Sequence, residues 1–167
     1  MKKILISGIL IAFLFICGCK NVSSDVTAVT SGLSFTAKTE IDNCITEYKV
    51  EIKKQGNMKI TAEKPESIKG ITAEFVNNNI TFTYNGLEYN TDATVLPEGN
   101  VMGLIYNVFS DNNLNDKEIN FKDDEIYITG KNGEYNYKLF IGQTGLPLGI
   151  TEKSGTEIII KNATLIK

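Results

Sequence analysis

From Leu33 onward the chain alternates apolar and polar positions with a period of two. Leu33, Phe35, Ala37, Thr39 and Ile41 share one face, while Ser34, Thr36, Lys38, Glu40 and Asp42 share the other. The pattern returns at Tyr48, Val50 and Ile52, at Met58, Ile60 and Ala62, and at Ile71, Ala73 and Phe75. It continues through Ile80, Phe82 and Tyr84 and through Leu87 and Tyr89. After a gap it resumes at Ile126 and Ile128, then Tyr135, Tyr137, Leu139 and Ile141, then Leu146, Leu148 and Ile150, and last Ile158 and Ile160. Such alternation marks strands with one dry and one wet face. Asn85-Gly86 and Asn132-Gly133 are hairpin signals, because both residue types tolerate the positive φ of a tight turn. Ser154-Gly155 marks a further turn. The spacing predicts about ten strands. Their connections are too short for crossover helices, so the strands run antiparallel in meander order.

One segment leaves this period. Across residues 100–110, Val101, Leu104, Ile105, Val108 and Phe109 fall at i, i+3, i+4, i+7 and i+8, which is one stripe of a helix. Gly103 inside it weakens the helix locally. A shorter helical turn is predicted over 65–69, with Pro65 at its first position. The expected fold is mainly β: an antiparallel half-open barrel with one or two short helices. Phe35, Tyr48, Phe75, Phe82, Tyr84, Tyr135, Tyr137 and Leu139 are expected to point from the sheet toward the helix stripe. They form either a filled core or an apolar cavity that takes an acyl chain under a helical lid.

The first residues follow another logic. Lys2 and Lys3 precede thirteen uncharged residues, 4–16. As a helix these cover about 20 Å, short of the roughly 30 Å hydrocarbon core. The stretch therefore reads as the apolar core of a secretion signal. It ends Ile16-Cys17-Gly18-Cys19, which resembles the bacterial lipobox. Only Cys19 has a small residue directly before it and an aliphatic residue three before it. The resemblance implies cleavage between Gly18 and Cys19, with diacylglycerol on the Cys19 sulfur. Two acyl chains hold a soluble domain to a bilayer where one holds it marginally. The expected organisation is a signal over 1–18, a lipidated cysteine and flexible tether over 19–32, and one domain over 33–167. The expected location is the extracytoplasmic face of the cell membrane.

Composition narrows the chemistry. The formal net charge is −3 before Lys2 and Lys3 are lost with the signal. That argues against nucleic acid as a partner. The chain has no His, no Trp and no Arg. A Ser or Cys nucleophile therefore has no His base, and a zinc site has no His ligand. Asp111, Asn113 and Asn115 begin like a calcium loop. The loop then fails, with Asp116 where glycine is needed and Lys122 where the bidentate acid belongs. Asp123, Asp124 and Glu125 fit a hairpin turn. Cys44, the thiol that remains, is expected to be a small buried residue. No metal and no cofactor are expected.

Pro65-Glu66 followed by Ile68-Lys69-Gly70-Ile71 resembles a stretch of the LolA/LolB-like lipoprotein-carrier superfamily. So does Thr144-Gly145-Leu146-Pro147-Leu148-x-Ile150, with Gly155 and the strand at Ile158, Ile159 and Ile160 after it. The resemblance runs over 33–167 and implies a half-open antiparallel barrel closed by helices. In overall character the chain is similar to the clostridial spore-germination lipoproteins (GerS-related), which act with a cortex-modifying amidase as protein partner. That implies a non-enzymatic, membrane-anchored module that binds a protein of the cell envelope in spore cortex maturation and germination. The alternative is a carrier or sensor of a lipid acyl chain. For the anchor itself, Cys19→Ala is expected to stay uncleaved and to incorporate no labelled fatty acid. Label retained in that variant would overturn the lipobox reading and turn attention to Cys17.

Overall fold

The computed structural model describes residues 26–97 and 99–166. Gly18, Cys19 and the expected signal lie outside the described residues. Eleven strands form one antiparallel sheet: β1 (Leu33–Ile41), β2 (Cys44–Lys54), β3 (Asn57–Lys64), β4 (Thr72–Val76), β5 (Asn79–Tyr84), β6 (Leu87–Asp92), β7 (Ile119–Lys122), β8 (Glu125–Asn132), β9 (Tyr135–Ile141), β10 (Pro147–Glu152) and β11 (Glu157–Leu165). Their spatial order is β6-β5-β4-β3-β2-β1-β11-β10-β9-β8-β7. Two meanders are thus joined side by side, with Leu33 of β1 opposite Leu165 of β11. The free edges are β6 and β7.

Turn chemistry fixes the hairpins. Asp42-Asn43, Asn77-Asn78, Asn85-Gly86 and Asp123-Asp124 all have positive φ at both residues. That geometry matches the right-handed twist of the flanking strands, and Asn, Asp and Gly reach it at least cost. The hairpin expected at Asn132-Gly133 sits one residue later. Asn132 pairs with Tyr135, and Gly133-Glu134 make the turn.

The connection from β6 to β7 spans the sheet from edge to edge and carries helix α1 (Val101–Ser110). Asn100 caps its start, its Oδ1 accepting from the Gly103 N–H at 3.0 Å. The sequence stripe implies one buried face, yet eight of the ten helical residues are buried, Met102, Gly103 and Tyr106 included. The difference comes from sheet curl. Phe109 packs on Phe35 of β1 with ring centroids 5.4 Å apart. Tyr106 stacks on Phe75 of β4 at 4.4 Å. The same helix also touches β3, β8 and β9. It fills the bore of the half-barrel. Each fully buried Leu104, Ile105 and Phe109 side chain contributes about 2 kcal/mol.

Several expectations need correction. Residues 65–70 form turns, without a helix. Strand β7 escapes the alternation pattern, because only Ile119 and Phe121 alternate within it. Leu148 does not share the face of Ile150. A register shift between Pro147 and Gly149 turns it outward, and it is 54% exposed. The tether is expected to be free up to residue 32, but its described part is packed. Ala28 is buried, and the Val29 N–H donates to the Gly145 carbonyl at 2.9 Å.

Gly103 has a steric reason. A Cβ there would lie 2.8 Å from the Tyr135 hydroxyl and 3.2 Å from Leu96. Gly103→Ala is therefore expected to destabilise the protein by about 1–3 kcal/mol, although alanine is the better helix former. Equilibrium denaturation measures this, and a stabilised variant would show that the helix has room to shift.

Candidate functional site

The concave face is where the sequence placed its candidate site. Phe35, Tyr48, Phe75, Val101, Leu104, Ile105, Val108, Phe109, Tyr135, Tyr137 and Leu139 are all buried there and pack against one another as one cluster. Phe82 is half-buried at its margin. Tyr84 is a correction: it is 38% exposed at the end of β5. Alternation gives the right face for Tyr84, but nothing covers it so near the hairpin tip. Tyr106 belongs to the cluster and lies off the expected stripe.

Under the helix end lies a polar lock that the sequence shows only as a broken calcium loop. Asp111 ends α1 and is 5% exposed. Its Oδ2 accepts from the Tyr137 hydroxyl at 2.7 Å and pairs with Lys117 Nζ at 3.0 Å. Its Oδ1 accepts from the Asn113 N–H at 2.9 Å, and its carbonyl accepts from Gln55 Nε2 at 2.8 Å. Burial alone would raise the Asp111 carboxyl. The bonds from Tyr137, Asn113 and Lys117 outweigh it and hold the group below the usual carboxylate range. Burial, then the bond to Asp111 and its charge, push the Tyr137 hydroxyl far up. Gly130, opposite Tyr137, leaves the space that its ring occupies. With both carboxylate oxygens engaged by protein donors, this cluster holds the helix end in place. Among the described residues no group of His, Cys, Asp and Glu is arranged to hold a metal ion.

Elsewhere the surface carries a groove around Leu148. Two adjoining cavities of about 400 and 580 Å³ share Leu148, Ile126, Ile141, Asp124 and Glu125. Phe140 and Ile159 line the first, and Phe121 lines the second. Phe121, Leu148 and Ile159 are each about half exposed, at 47%, 54% and 47%. Asp123 and Asp124, in the β7–β8 turn, and Glu125 and Glu157 make the rim acidic on balance, with Lys122 beside Asp123 at 4.0 Å as its one cation. The bulge that turns Leu148 outward creates this apolar floor. Cys44 is a second correction: it is exposed at the first position of β2, beyond the reach of the helix cover.

Two solved structures share this architecture. One is a LolA superfamily protein from Nitrosomonas europaea, 13% identical, with a TM-score of 0.50, covering 87% of this chain and 91% of that one. The fold is LolA-like. The other is an uncharacterized conserved protein from Thermus thermophilus, 10% identical, with a TM-score of 0.51, covering 81% of this chain and 78% of that one. At these identities the likeness is one of fold. No family model and no curated protein matches the chain.

The lock sets a pH dependence. A carboxyl with a depressed folded-state pKa adds stability that is complete above its unfolded value of about 4 and disappears as pH falls through the folded value. Asp111→Asn is expected to cost about 2–4 kcal/mol near pH 7, and the gap should narrow below about pH 4. Urea denaturation of both proteins at the two pH values checks this. A gap independent of pH would mean that Asp111 is not the ionised partner of Lys117 and Tyr137.

Proposed function

We propose that this chain is a non-enzymatic binding module with a LolA-like fold. In this reading it is held to the extracytoplasmic face of the membrane through lipid on Cys19, and it binds a protein partner of the cell envelope. The observation that carries the reading is the position of α1. The concave face is occupied by the chain's own helix, while exposed apolar side chains gather around Leu148 on the outside. Exposed apolar side chains that gather inside a polar rim mark an interaction surface. The acidic rim at Asp123, Asp124, Glu125 and Glu157 favours a segment whose apolar anchor is flanked by Lys or Arg. The resemblance to germination lipoproteins supports a place in spore cortex maturation and germination.

The alternative, an acyl chain in the concave face, requires α1 to move out of the bore. Native mass spectrometry of the full chain separates the two readings. Bound fatty acid or phospholipid beyond the anchor, lost in Phe109→Glu, would favour the carrier.

For the protein-binding reading, a photo-crosslinking residue at position 148 is expected to trap one envelope protein. Leu148→Glu should weaken that complex at least about tenfold, because it removes an interface anchor and adds a buried charge. Crosslinks to lipid alone at position 148, or a complex indifferent to Leu148→Glu, would sink the proposal.

A further inference from the structure

On another part of the surface, where α1 meets turns from both halves of the sheet, lies a cleft of different chemistry. It has a volume of about 380 Å³. Gln55 comes from the β2–β3 turn, Asn77 and Asn78 from the β4–β5 turn, Asn107 from α1, Asn112 from the segment after it, and Asn132 from the end of β8. Tyr106, Ser110 and Gly56 complete the wall. No Asp, Glu or Lys lines it. Yet 22% of the chain is charged, so an uncharged polar hollow lined by six carboxamides is a departure from the rest of the surface.

Turn geometry explains Asn77 and Asn78, which have φ of 47° and 75°. It does not explain Gln55, Asn107, Asn112 or Asn132, which have no such backbone.

Most of these amides are held in place. Gln55 Nε2 donates to the Asp111 carbonyl at 2.8 Å. Asn107 Nδ2 donates to the Gly103 carbonyl at 2.8 Å, and Asn132 Nδ2 donates to the Asn107 carbonyl at 2.8 Å. Asn78 Nδ2 donates to Asp92 Oδ1 at 2.9 Å. In each case one N–H bonds to the fold, which fixes the amide and leaves its oxygen and its second N–H for a ligand. The hollow is therefore an array of neutral amides, four of the six held by the fold, that offers acceptors and donors together.

Beside it lies a second cavity of about 330 Å³, which shares Asn78, Tyr106 and Asn107 with the first. Its wall is more apolar, with Ala93, Leu96 and Tyr135, and Glu134 is its one charged residue. Together the two halves fit a neutral ligand that is rich in hydroxyl donors on one side and carries a small apolar group on the other. Cavities of this size accept small organic ligands.

We propose that this cleft is a saccharide-binding site, and that it takes a neutral oligosaccharide of N-acetylated amino sugars. The sugar hydroxyls donate to the carboxamide oxygens. The acetamido methyl lies against Ala93 and Leu96. An anionic ligand is disfavoured, because no cationic side chain lines either cavity and Glu134 lines the second. The site is separate from the groove at Leu148, and the two can be tested independently.

The test is a titration of the full chain in detergent with chitotriose, with maltotriose as the sugar lacking acetamido groups. The readout is the side-chain amide signals of Asn and Gln in nitrogen-resolved NMR. Chitotriose is expected to shift the Asn107, Asn112 and Asn132 signals saturably, more tightly than maltotriose, and equally at low and high salt. Asn77 and Asn112 are exposed, and no side-chain bond of theirs holds the fold together. Asn77→Asp and Asn112→Asp together, and separately Asn112→Ala, are expected to weaken binding about tenfold or more, which is the scale of one lost hydrogen bond to a sugar. No saturable shift with chitotriose would overturn the proposal. So would binding that both variants leave unchanged, or maltotriose binding as tightly as chitotriose.

Discussion

Burial of α1 inside the curl of the sheet is the interaction on which the other features depend. A sheet with a continuous apolar face must cover it. Here the cover is an element that the same chain threads from one sheet edge to the other. The helix is short and apolar on nearly every side, so it has little reason to form alone. It persists because Phe35 and Phe75, on strands of one half, and β8 and β9, in the other, close around it. Its far end is tied by the buried Asp111 carboxylate. A negative group at a helix C-terminus is unfavourable in itself, so Tyr137, Lys117 and Asn113 must supply more than that cost.

In the proposed reading, occupation of the bore by this helix moves binding to the outside of the sheet. The concave side of a half-barrel is where a ligand pocket would lie, and this chain fills that side with its own helix. What remains open is the outer groove, with its apolar floor and acidic rim, and the neutral hollow where α1 meets the turns. The two differ in chemistry. One suits an anchor with a basic flank, the other hydroxyl donors without charge.

Much of the fold was legible because it is local. Alternation and Asn85-Gly86 place β5 and β6, and the stripe from Val101 to Phe109 places the helix. Departures arise where a local pattern meets a long-range fact. Leu148 keeps the parity of Ile150 in sequence, but a bulge reverses it. Tyr84 and Cys44 lie at strand ends that the helix does not reach. Strand β7 offers two apolar residues, too few for a period, and exists because β8 gives it a partner. Asp111 and Tyr137 are far apart in sequence, and so are the amides from Gln55 to Asn132. No spacing rule connects residues that only the curl of the sheet brings together.

The pairing of β1 with β11 also constrains how the protein is made. The seam between the halves is closed by the first and last described strands. A chain that emerges amino end first presents β1 through β6 with one flank of β1 open. That flank waits for residues 157–165 before it finds its ladder. Contacts of such long range form slowly, and an unpaired strand invites pairing with other chains. The strand that closes the seam is thus the last of the described strands to arrive. Losing β11 would take away the joint that makes two small meanders a single body, a far larger loss than an edge strand.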